Sequence, residues 1–350
     1  MRIGIYTFTA ANNYGAVLQA FALKETLNAL GHETFCVDYR PRYLWDKYQP
    51  FSKLRLKNGN FLKNIMRDFF FFIWLKKKNC GYDSFRKNML SLLSENEIGS
   101  LSTIVVGSDQ VWNFKHTYGD RKFLGYIPNF KGSVVSYAAS MEEVNACDLD
   151  VLRDALRNFT KISVREKSLK KTLLESFNIQ STLVLDPTLL LDKKDWQRIE
   201  IPFVHKKPYM LAYVFGISEK KRMELTNLAA EKELDLLVFC GEAKPGKGLL
   251  DSEAPQKFLS IIHNASYIVT NSFHGTAFSI IYGKKFCVIP KASNERIETL
   301  LDFADANKAL LSQSKKIEYS DFVEVPEYSE QFKRMKATSI AYLESISKER

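Results

Sequence analysis

Apolar and polar residues alternate along the chain with two different periods. Segments 2–8 and 34–39 are runs of β-branched and other apolar residues, which are typical of buried strands. Between them, segment 14–30 carries apolar residues at helical spacing and is followed by Gly31, a common helix terminator. The same alternation recurs in the second half of the chain. The pattern therefore predicts an α/β fold in which helices cover parallel sheets.

The alternation is interrupted by the polar, proline-containing segment 192–207 and starts again after it. A chain of 350 residues suits two domains better than one core, so we interpret this segment as a linker. We expect a Rossmann-like domain at 1–195, a second one at 205–325 and a terminal helix at 326–350. Doubly wound sheets bind ligands at the carboxyl ends of their strands. Two such sheets that face each other would share one interdomain cleft.

The composition narrows the class of protein. Hydrophobic residues make up 45% and charged residues 26%, as in globular proteins. The formal charge of +10 favours acidic partners, but the basic residues are spread along the chain and no nucleic-acid motif accompanies them. We therefore expect an anionic small-molecule substrate and no nucleic-acid partner.

The number and spacing of the cysteines indicate the redox state of the cellular compartment. The five cysteines are far apart and form no CxxC pair, so they predict neither a disulfide framework nor a zinc site. Cys36, Cys240 and Cys287 lie in apolar runs and are expected to be buried thiols. This usage indicates a reducing, cytoplasmic location.

No targeting or membrane-spanning segment is predicted. The N-terminus lacks a signal-peptide pattern. The longest apolar block, 69–75, is far shorter than the ~20 residues that cross a bilayer. The basic segment 63–78 around it predicts either a buried amphipathic helix, which we favour, or a helix that lies on a membrane surface.

Two loops of the first half place polar side chains directly after strands. Loop 9–15 offers Asn13 either as an ordinary helix cap or as part of an anion site at the helix start. Loop 107–113 combines small, polar and aromatic residues, and we favour substrate contact there, although a lone tryptophan is more often a core residue. The candidate contact residues of the two loops are Asn13, Tyr14, Ser108, Asp109, Gln110 and Trp112.

Three further loops of the first half have both a ligand-binding and a structural interpretation. Small residues at 137–140 permit either close approach of a ligand or tight helix packing. Arg165 ends a strand and suits capture of a carboxylate or phosphate, but taken alone a salt bridge is the better interpretation. Asp186 precedes Pro187 and either holds a substrate hydroxyl or caps the next turn, which we favour.

Segment 270–277 gives the strongest functional signal. It follows a predicted strand and opens an apolar helix, with Asn271 or Ser272 as the cap. His274 then lies in the first turn, where the positive end of the helix dipole binds anions. A histidine in that position suits general acid–base chemistry beside a bound phosphate. Gly275 is expected to keep one side open, and Arg296, which opens a later helix, either reaches the same cleft or forms an exposed ion pair.

Seven segments taken together resemble the polysaccharide pyruvyl transferase family. They keep the same order from residue 13 to residue 297, which covers most of the chain. The segments are NYGAVLQA (13–20), GSDQVWN (107–113), YAAS (137–140), SVRE (163–166), DPTLLL (186–191), NSFHGTAFS (271–279) and NERI (294–297).

The resemblance implies a glycosyltransferase-B-like architecture of two Rossmann-like domains. It implies transfer of a pyruvyl group from phosphoenolpyruvate to two hydroxyls of a sugar or lipid-linked oligosaccharide, with His274 as acid or base and no cofactor or metal. The first domain is then the acceptor side, and the six candidate contact residues of loops 9–15 and 107–113 belong to it. The implied location is cytoplasmic, including peripheral contact at the inner membrane face. The chain departs from the family pattern at 272. It has Ser272-Phe273-His274 where the resemblance implies Arg-x-His in some members. The candidate donor-binding residues are Arg165, Ser272, Gly275, Thr276 and Arg296.

Two other functions compete with this one. A nucleotide-sugar glycosyltransferase uses the same fold, but no obvious acidic or basic pair for a diphosphate follows the strand predicted at 236–240. A non-catalytic carbohydrate-binding relative is the third hypothesis. Neither the acceptor sugar nor the oligomeric state follows from the sequence.

Overall fold

The computed structural model describes residues 1–49, 51, 61–70, 72–141, 146–239, 254–291, 293–313 and 315–347. The chain forms two compact units, one of Met1–Asn64, Asp83–Leu191 and Arg334–Arg350, the other of Ile65–Tyr82 and Asp192–Lys333. The change of unit after Leu191 falls at the start of the predicted linker. The sequence did not predict that Ile65–Tyr82 belongs to the second unit, nor that the chain from Arg334 returns to the first.

Each unit contains one parallel sheet. The first sheet has the strand order β3-β2-β1-β4-β5-β6-β7, and the second has the order β11-β10-β8-β9. The strands are β1 (Arg2–Tyr6), β2 (Glu33–Val37), β3 (Leu92–Leu93), β4 (Thr103–Asp109), β5 (Ser133–Ala139), β6 (Ser163–Val164), β7 (Thr182–Leu183), β8 (Tyr209–Tyr213), β9 (Asp235–Phe239), β10 (Tyr267–Thr270) and β11 (Lys285–Val288).

Helices connect these strands, as the alternating pattern predicts. They are α1 (Tyr14–Ala29), α2 (Arg42–Trp45), α3 (Phe61–Phe70), α4 (Phe72–Met89), α5 (Phe114–Thr117), α6 (Ala146–Ala155), α7 (Lys167–Phe177), α8 (Lys193–Gln197), α9 (Glu219–Ala230), α10 (Pro255–Asn264), α11 (Phe273–Ile281), α12 (Glu295–Phe303) and α13 (Glu330–Ser345). Short 3-10 turns, including Pro187–Leu189, lie between them. The predicted α/β class is confirmed.

The core of the first unit surrounds its central strands. Strand β4 is buried along nearly its whole length, because helices cover both faces of a parallel sheet. Helix α1 is buried on almost every side, which explains why its sequence is apolar without a clear polar face. Gly31 follows the helix with φ of 85°, a conformation that suits glycine at a helix end.

The core of the second unit is organised around β8. This strand is buried at all five positions and lies between β10 and β9. Helix α11 is buried from end to end. The helix begins directly after β10, so the carboxyl end of a central strand leads straight into the segment that contains His274.

The predictions on cysteines and on segment 63–78 have different outcomes. Cys36 and Cys287 are buried as predicted, and burial raises the pKa of the Cys36 thiol to about 12. Cys240 lies outside the described residues. The prediction of a buried amphipathic helix at 63–78 is wrong for Met66, Phe69 and Phe70 of α3, which are exposed. In the part of the chain that the structure describes, no helix has the length and apolarity to cross a bilayer.

Candidate functional site

The segment between β10 and α11 holds His274 in a rigid setting. Ser272 caps the helix as predicted, because its Oγ accepts the Gly275 amide hydrogen at 3.3 Å. The Thr270 hydroxyl donates to the Tyr213 carbonyl at 2.8 Å and accepts from the Ser272 amide at 3.0 Å. The turn is therefore fixed to β8 before the helix starts. His274 follows in the first turn, where the helix dipole favours negative charge.

A second bond pair fixes the same turn from its other side. Asn271 accepts from the Phe215 amide and donates to the Phe215 carbonyl, each at 2.9 Å. The Thr276 hydroxyl donates to the Ser272 carbonyl at 3.1 Å. Asn271 and Thr276 thus serve to shape the turn. His274 is buried, and its ring meets the ring of Phe273 edge to face at 5.2 Å.

Gly275 does not keep one side of the site open, which corrects the expectation from the sequence. A Cβ at this position would lie 2.3 Å from Thr270 Oγ1 and 2.9 Å from Tyr213 Cδ1. The glycine therefore allows α11 to pack directly on the sheet. Its role is to bring the first turn of the helix, with His274, close to the strand ends.

Arg296 lies close to this segment within the second unit. It is half-buried near the start of α12, and its guanidinium carbon is 6.0 Å from the centre of the Phe273 ring. Arginine geometry suits two-point binding of carboxylate or phosphate. Arg296 is therefore a positive group next to the residue that precedes His274.

The predicted loops of the first unit also meet at one edge of their sheet. Segments 107–113, 137–140 and 163–166 contain the carboxyl ends of the neighbouring strands β4, β5 and β6, and Asp186 follows β7. Because the strands are parallel, these loops all lie at the carboxyl edge. The Ser140 and Trp112 backbones, for example, bond to each other at 3.3 Å.

Arg165 forms the centre of this edge as an ion-pair residue. Its Nη1 donates to Asp186 Oδ2 at 2.5 Å, and its Nη2 lies 3.4 Å from Asp109 Oδ1. Burial alone would lower the pKa of Arg165, but the carboxylates of Asp186, Asp109 and Glu166 together raise it. The salt-bridge interpretation is therefore confirmed, and the guanidinium is already surrounded by three carboxylates.

Asp186 has the structural role that the sequence predicts. Its Oδ1 accepts from the Thr188 amide at 3.0 Å and from the Thr188 hydroxyl at 2.7 Å, so it caps the turn Pro187–Leu189. Its other oxygen accepts from the Ser108 hydroxyl at 3.2 Å. Glu166 is a member of the cluster that sequence reasoning missed, and it accepts a short hydrogen bond from Ser140. Only the packing of β5 against β6 reveals this contact.

The side chains of loop 107–113 differ in what they can reach. Trp112 is fully buried and its indole donates to the Phe123 carbonyl at 3.0 Å, so its role is packing rather than the expected substrate contact. Ser108 and Gln110 are buried as well. Asp109 keeps some exposed surface and has a φ of 76°, a left-handed conformation that is uncommon outside glycine. Asp109 is therefore the residue of this loop best placed to touch a ligand.

The loop between β1 and α1 is held by an arginine that the sequence analysis did not single out. Arg86 Nε donates to the Thr9 carbonyl at 2.6 Å, and its Nη2 donates to the Ala11 carbonyl at 2.9 Å. Asn13 caps α1 by accepting from the Ala16 amide at 3.1 Å, while Tyr14 is buried. No local motif marks this role of Arg86, because the loop groups that it binds lie more than 70 residues away.

A metal centre is not evident in the described residues, since no group of three or more histidine, cysteine, aspartate or glutamate side chains is arranged to hold an ion. The second unit offers a buried histidine at a helix start, and the first unit, taken by itself, offers a buried arginine–carboxylate cluster. The first arrangement suits proton transfer near an anion. The second fixes the loops around Asp109.

Solved structures resemble the chain in fold. The UDP-GlcNAc 2-epimerase from Methanocaldococcus jannaschii gives a TM-score of 0.54 at 11% identity, with 100% of both chains covered. A putative UDP-N-acetylglucosamine 2-epimerase from Listeria monocytogenes gives 0.50 at 10% identity, over 99% of this chain and 88% of that one. The Streptomyces sp. SF2575 glycosyltransferase SsfS6 gives 0.41 at 14% identity, with 100% of both chains covered. The two epimerase structures, together with the seven-stranded and four-stranded sheets of this chain, confirm the predicted glycosyltransferase-B-like fold with two Rossmann-like units.

A search among curated proteins finds no match. A model of the family described as polysaccharide pyruvyl transferase matches residues 13–291. The match includes both the carboxyl edge of the first sheet and the whole of helix α11. It covers well over half of the sequence, and the chain belongs to the polysaccharide pyruvyl transferase family.

Proposed function

We propose that the protein transfers a pyruvyl group from phosphoenolpyruvate to two hydroxyls of a sugar in a polysaccharide or glycan precursor. The observation that carries this proposal is His274, fixed in the first turn of α11 inside the segment that the family model matches. A histidine there has an anion-attracting helix end beside it. The donor is an anion that must gain a proton.

The reaction can be written with a single proton-transferring group. His274 donates a proton to the methylene carbon of phosphoenolpyruvate, and one sugar hydroxyl adds to the neighbouring carbon and gives its proton to His274. The bond from that carbon to the phosphate oxygen then breaks, which gives an oxocarbenium-like centre and inorganic phosphate. The second hydroxyl closes the cyclic ketal, and its proton goes to the released phosphate.

Arg296 is the arginine that we propose for the donor, and Arg165 is not. Arg296 belongs to the same unit as His274 and lies beside Phe273. Arg165 is engaged by Asp186 and Asp109, so capture of a further anion would require it to leave buried carboxylates. The serine at 272 acts as a helix cap, which leaves the binding of the donor's negative groups to Arg296 and the helix start.

Asp109 and Asn13 are the proposed acceptor contacts in the first unit. Asp109 ends β4 and Asn13 comes after β1, both at the carboxyl edge of the sheet, and both keep part of their surface exposed. Carboxylate and amide oxygens accept hydrogen bonds from sugar hydroxyls. The buried residues of the same loops, Ser108, Gln110 and Trp112, are proposed to support them.

The test is acceptor-dependent release of phosphate from phosphoenolpyruvate. A panel of sugars, oligosaccharides and lipid-linked precursors is incubated with the protein, and products are checked by mass spectrometry for the pyruvate ketal. We expect His274→Gln to lower kcat by roughly 10²–10⁴-fold, the usual contribution of a general acid or base. His32→Gln is the control, because His32 directly precedes β2 and lies at the amino edge of the first sheet, away from the carboxyl edge.

Two results would overturn the proposal. The first is unchanged phosphate release in His274→Gln. The second is sugar transfer from a nucleotide sugar, with thermal stabilisation by the nucleotide diphosphate and none by phosphoenolpyruvate, which would assign the protein to nucleotide-sugar chemistry.

A further inference from the structure

Helix α3 presents four apolar side chains to solvent, while a polar one is buried. Leu62, Met66, Phe69 and Phe70 are between 59% and 74% exposed. Asn64, on the same helix, is only 8% exposed. An ordinary surface helix has the reverse arrangement, with its apolar stripe against the core. The face of α3 is therefore built to contact something other than water.

The four exposed residues form one stripe. Their spacing of four, three and one residues places them on a single side of a helix, since residues three and four apart are neighbours. The apolar surface continues at the start of α4, where Ile73 is 83% exposed. Large exposed apolar patches on otherwise ordinary surfaces mark sites of association.

Positive charge accompanies the apolar stripe. Segment 61–78 contains five basic residues and one acidic residue. Lys76 and Lys77 are exposed, and the Lys78 ammonium lies 5.2 Å from the centre of the Trp74 ring. Tryptophan and lysine together are typical of the boundary between lipid headgroups and acyl chains.

We propose that α3 and the start of α4 dock this protein onto the surface of a bilayer that contains anionic lipids. The apolar stripe enters the headgroup boundary, and the lysines bind the negative headgroups. The charge of the segment distinguishes this partner from a second copy of the chain, because two copies of this basic segment would repel each other.

The helix lies in the plane of the surface and does not cross the bilayer. Ten residues of helix extend for about 15 Å, half of a hydrocarbon core of about 30 Å. Binding of this kind is reversible and depends on salt. The proposal concerns attachment only, and it does not depend on the reaction that the protein catalyses.

The test is co-sedimentation of the full chain with two kinds of vesicle, phosphatidylcholine alone and phosphatidylcholine mixed with phosphatidylglycerol. We expect binding to the mixed vesicles that weakens as salt is raised. Lys76→Gln with Lys77→Gln should lower the partition coefficient roughly 25-fold, about fivefold for each lysine. Met66→Ser with Phe69→Ser and Phe70→Ser should abolish binding.

A matched control uses exposed apolar residues elsewhere. Val204 and Met223 are 88% and 60% exposed, and their change to serine should leave vesicle binding as it is. Thermal unfolding of all variants should be unchanged, because the substituted side chains are already exposed. The proposal is overturned if the mixed vesicles are not bound or if the α3 variant still binds. It is overturned equally if that variant only converts a dimer into a monomer.

Discussion

The absence of a Cβ at Gly275 decides how closely helix α11 packs on the strands before it. A Cβ there would lie 2.3 Å from Thr270 Oγ1, so the helix start would have to move away from the strand. Alanine favours helices over glycine by ~1 kcal/mol, but overpacking costs about 1–3 kcal/mol. We expect Gly275→Ala to destabilise the protein in urea unfolding and to lower its activity.

Gly99→Ala is the matched control for this prediction. A Cβ at Gly99 would have no atom within 4 Å. The free energy of unfolding of Gly99→Ala should therefore equal that of the parent protein within experimental error. A Gly275→Ala protein of full stability and activity would show that the turn tolerates displacement.

Arg165 offers a second prediction at the scale of one residue. Removing one partner of a buried ion pair costs about 3–5 kcal/mol, because the remaining charge is left buried. Arg165→Met should therefore strongly lower the free energy of unfolding, with Arg157→Met, at an exposed position, as the control. In a double-mutant cycle, Asp186→Asn should be much less harmful in the Arg165→Met background. Additive effects of the two changes would contradict the pairing.

Sequence and structure agree on some residues and differ on others for a physical reason. The caps formed by Asn13, Ser272 and Asp186 depend on neighbours within three residues, so the sequence could predict them. The partners of Arg165 and the burial of Trp112 depend on which strands lie side by side. That information is absent from local spacing.

At the scale of elements, Arg86 connects helix α4 to the loop before α1. Its planar fork donates to two carbonyls and to Asn12 Oδ1, at 2.5 to 2.9 Å. Lysine carries the same charge on a single nitrogen and cannot reproduce the fork. We expect Arg86→Lys to lower the free energy of unfolding by about 1–3 kcal/mol. Hydrogen exchange of the Ala11 amide should become faster.

The control for the loop prediction is Arg42→Lys, because Arg42 is exposed. It should leave both stability and exchange unchanged. Unaltered exchange at Ala11 in Arg86→Lys would mean that the loop keeps its conformation without the fork.

Asp321, in the segment that follows α12, makes the stability of the second unit depend on pH. Burial alone would raise the pKa of Asp321, but its hydrogen bonds from Lys315 and from the Glu318 amide lower it below the ordinary value. A lowered folded-state pKa contributes stability above the unfolded-state value of about 3.9, and that contribution is lost as the pH falls further. Asp321→Asn should therefore be less stable than the parent at neutral pH, and the difference should shrink in acid.

Urea unfolding at several pH values measures this difference. Asp305→Asn is the control, since Asp305 is exposed. A stability difference for Asp321→Asn that stays constant from neutral to acidic pH would contradict the role given to the carboxylate.

Elements were predicted more completely than their environments. The alternation of apolar runs predicted most of the strands and the longer helices, because each period reflects local backbone geometry. It did not predict the two-residue strand β3 or the short helices α2, α5 and α8. Helix α3 was predicted as a helix, but the favoured of the two interpretations buried its apolar face, and that face is exposed. Periodicity shows that a helix has an apolar side, but it does not show whether the rest of the chain covers that side.

At the scale of the whole molecule, helix α13 ties a late part of the sequence to the first unit. Tyr342 donates to the Ser136 carbonyl at 2.8 Å, the Leu185 amide donates to Ser339 Oγ at 2.9 Å, and Leu343 is fully buried. Leu343→Ala should lower the stability of the first unit by about 2–5 kcal/mol. Hydrogen exchange should rise in peptides from 133–191 and remain unchanged in peptides from 209–239.

The comparison for this prediction is Leu174→Ala, also in the first unit, because Leu174 is 41% exposed. It should have a small effect. Equal effects on the peptides of both units would show that the units unfold as one.

The sequence predicted two Rossmann-like units but could not assign every segment to one of them. A composition change marks the start of the linker at 192, while nothing in the composition marks the return to the first unit at Arg334. A helix is attached by the surface that it buries. The partner of that surface lies 150 or more residues earlier in the sequence.

The attachment of α13 has a consequence for the newly made chain. The ribosome completes residues 192–333 before it makes residues 334–345, the part of α13 that belongs to the first unit. The second unit therefore has all of its strands while the surface around Ser136 and Leu185 is still uncovered. The first unit is therefore translated before the second but completed after it. During that interval its apolar surface is accessible to a chaperone.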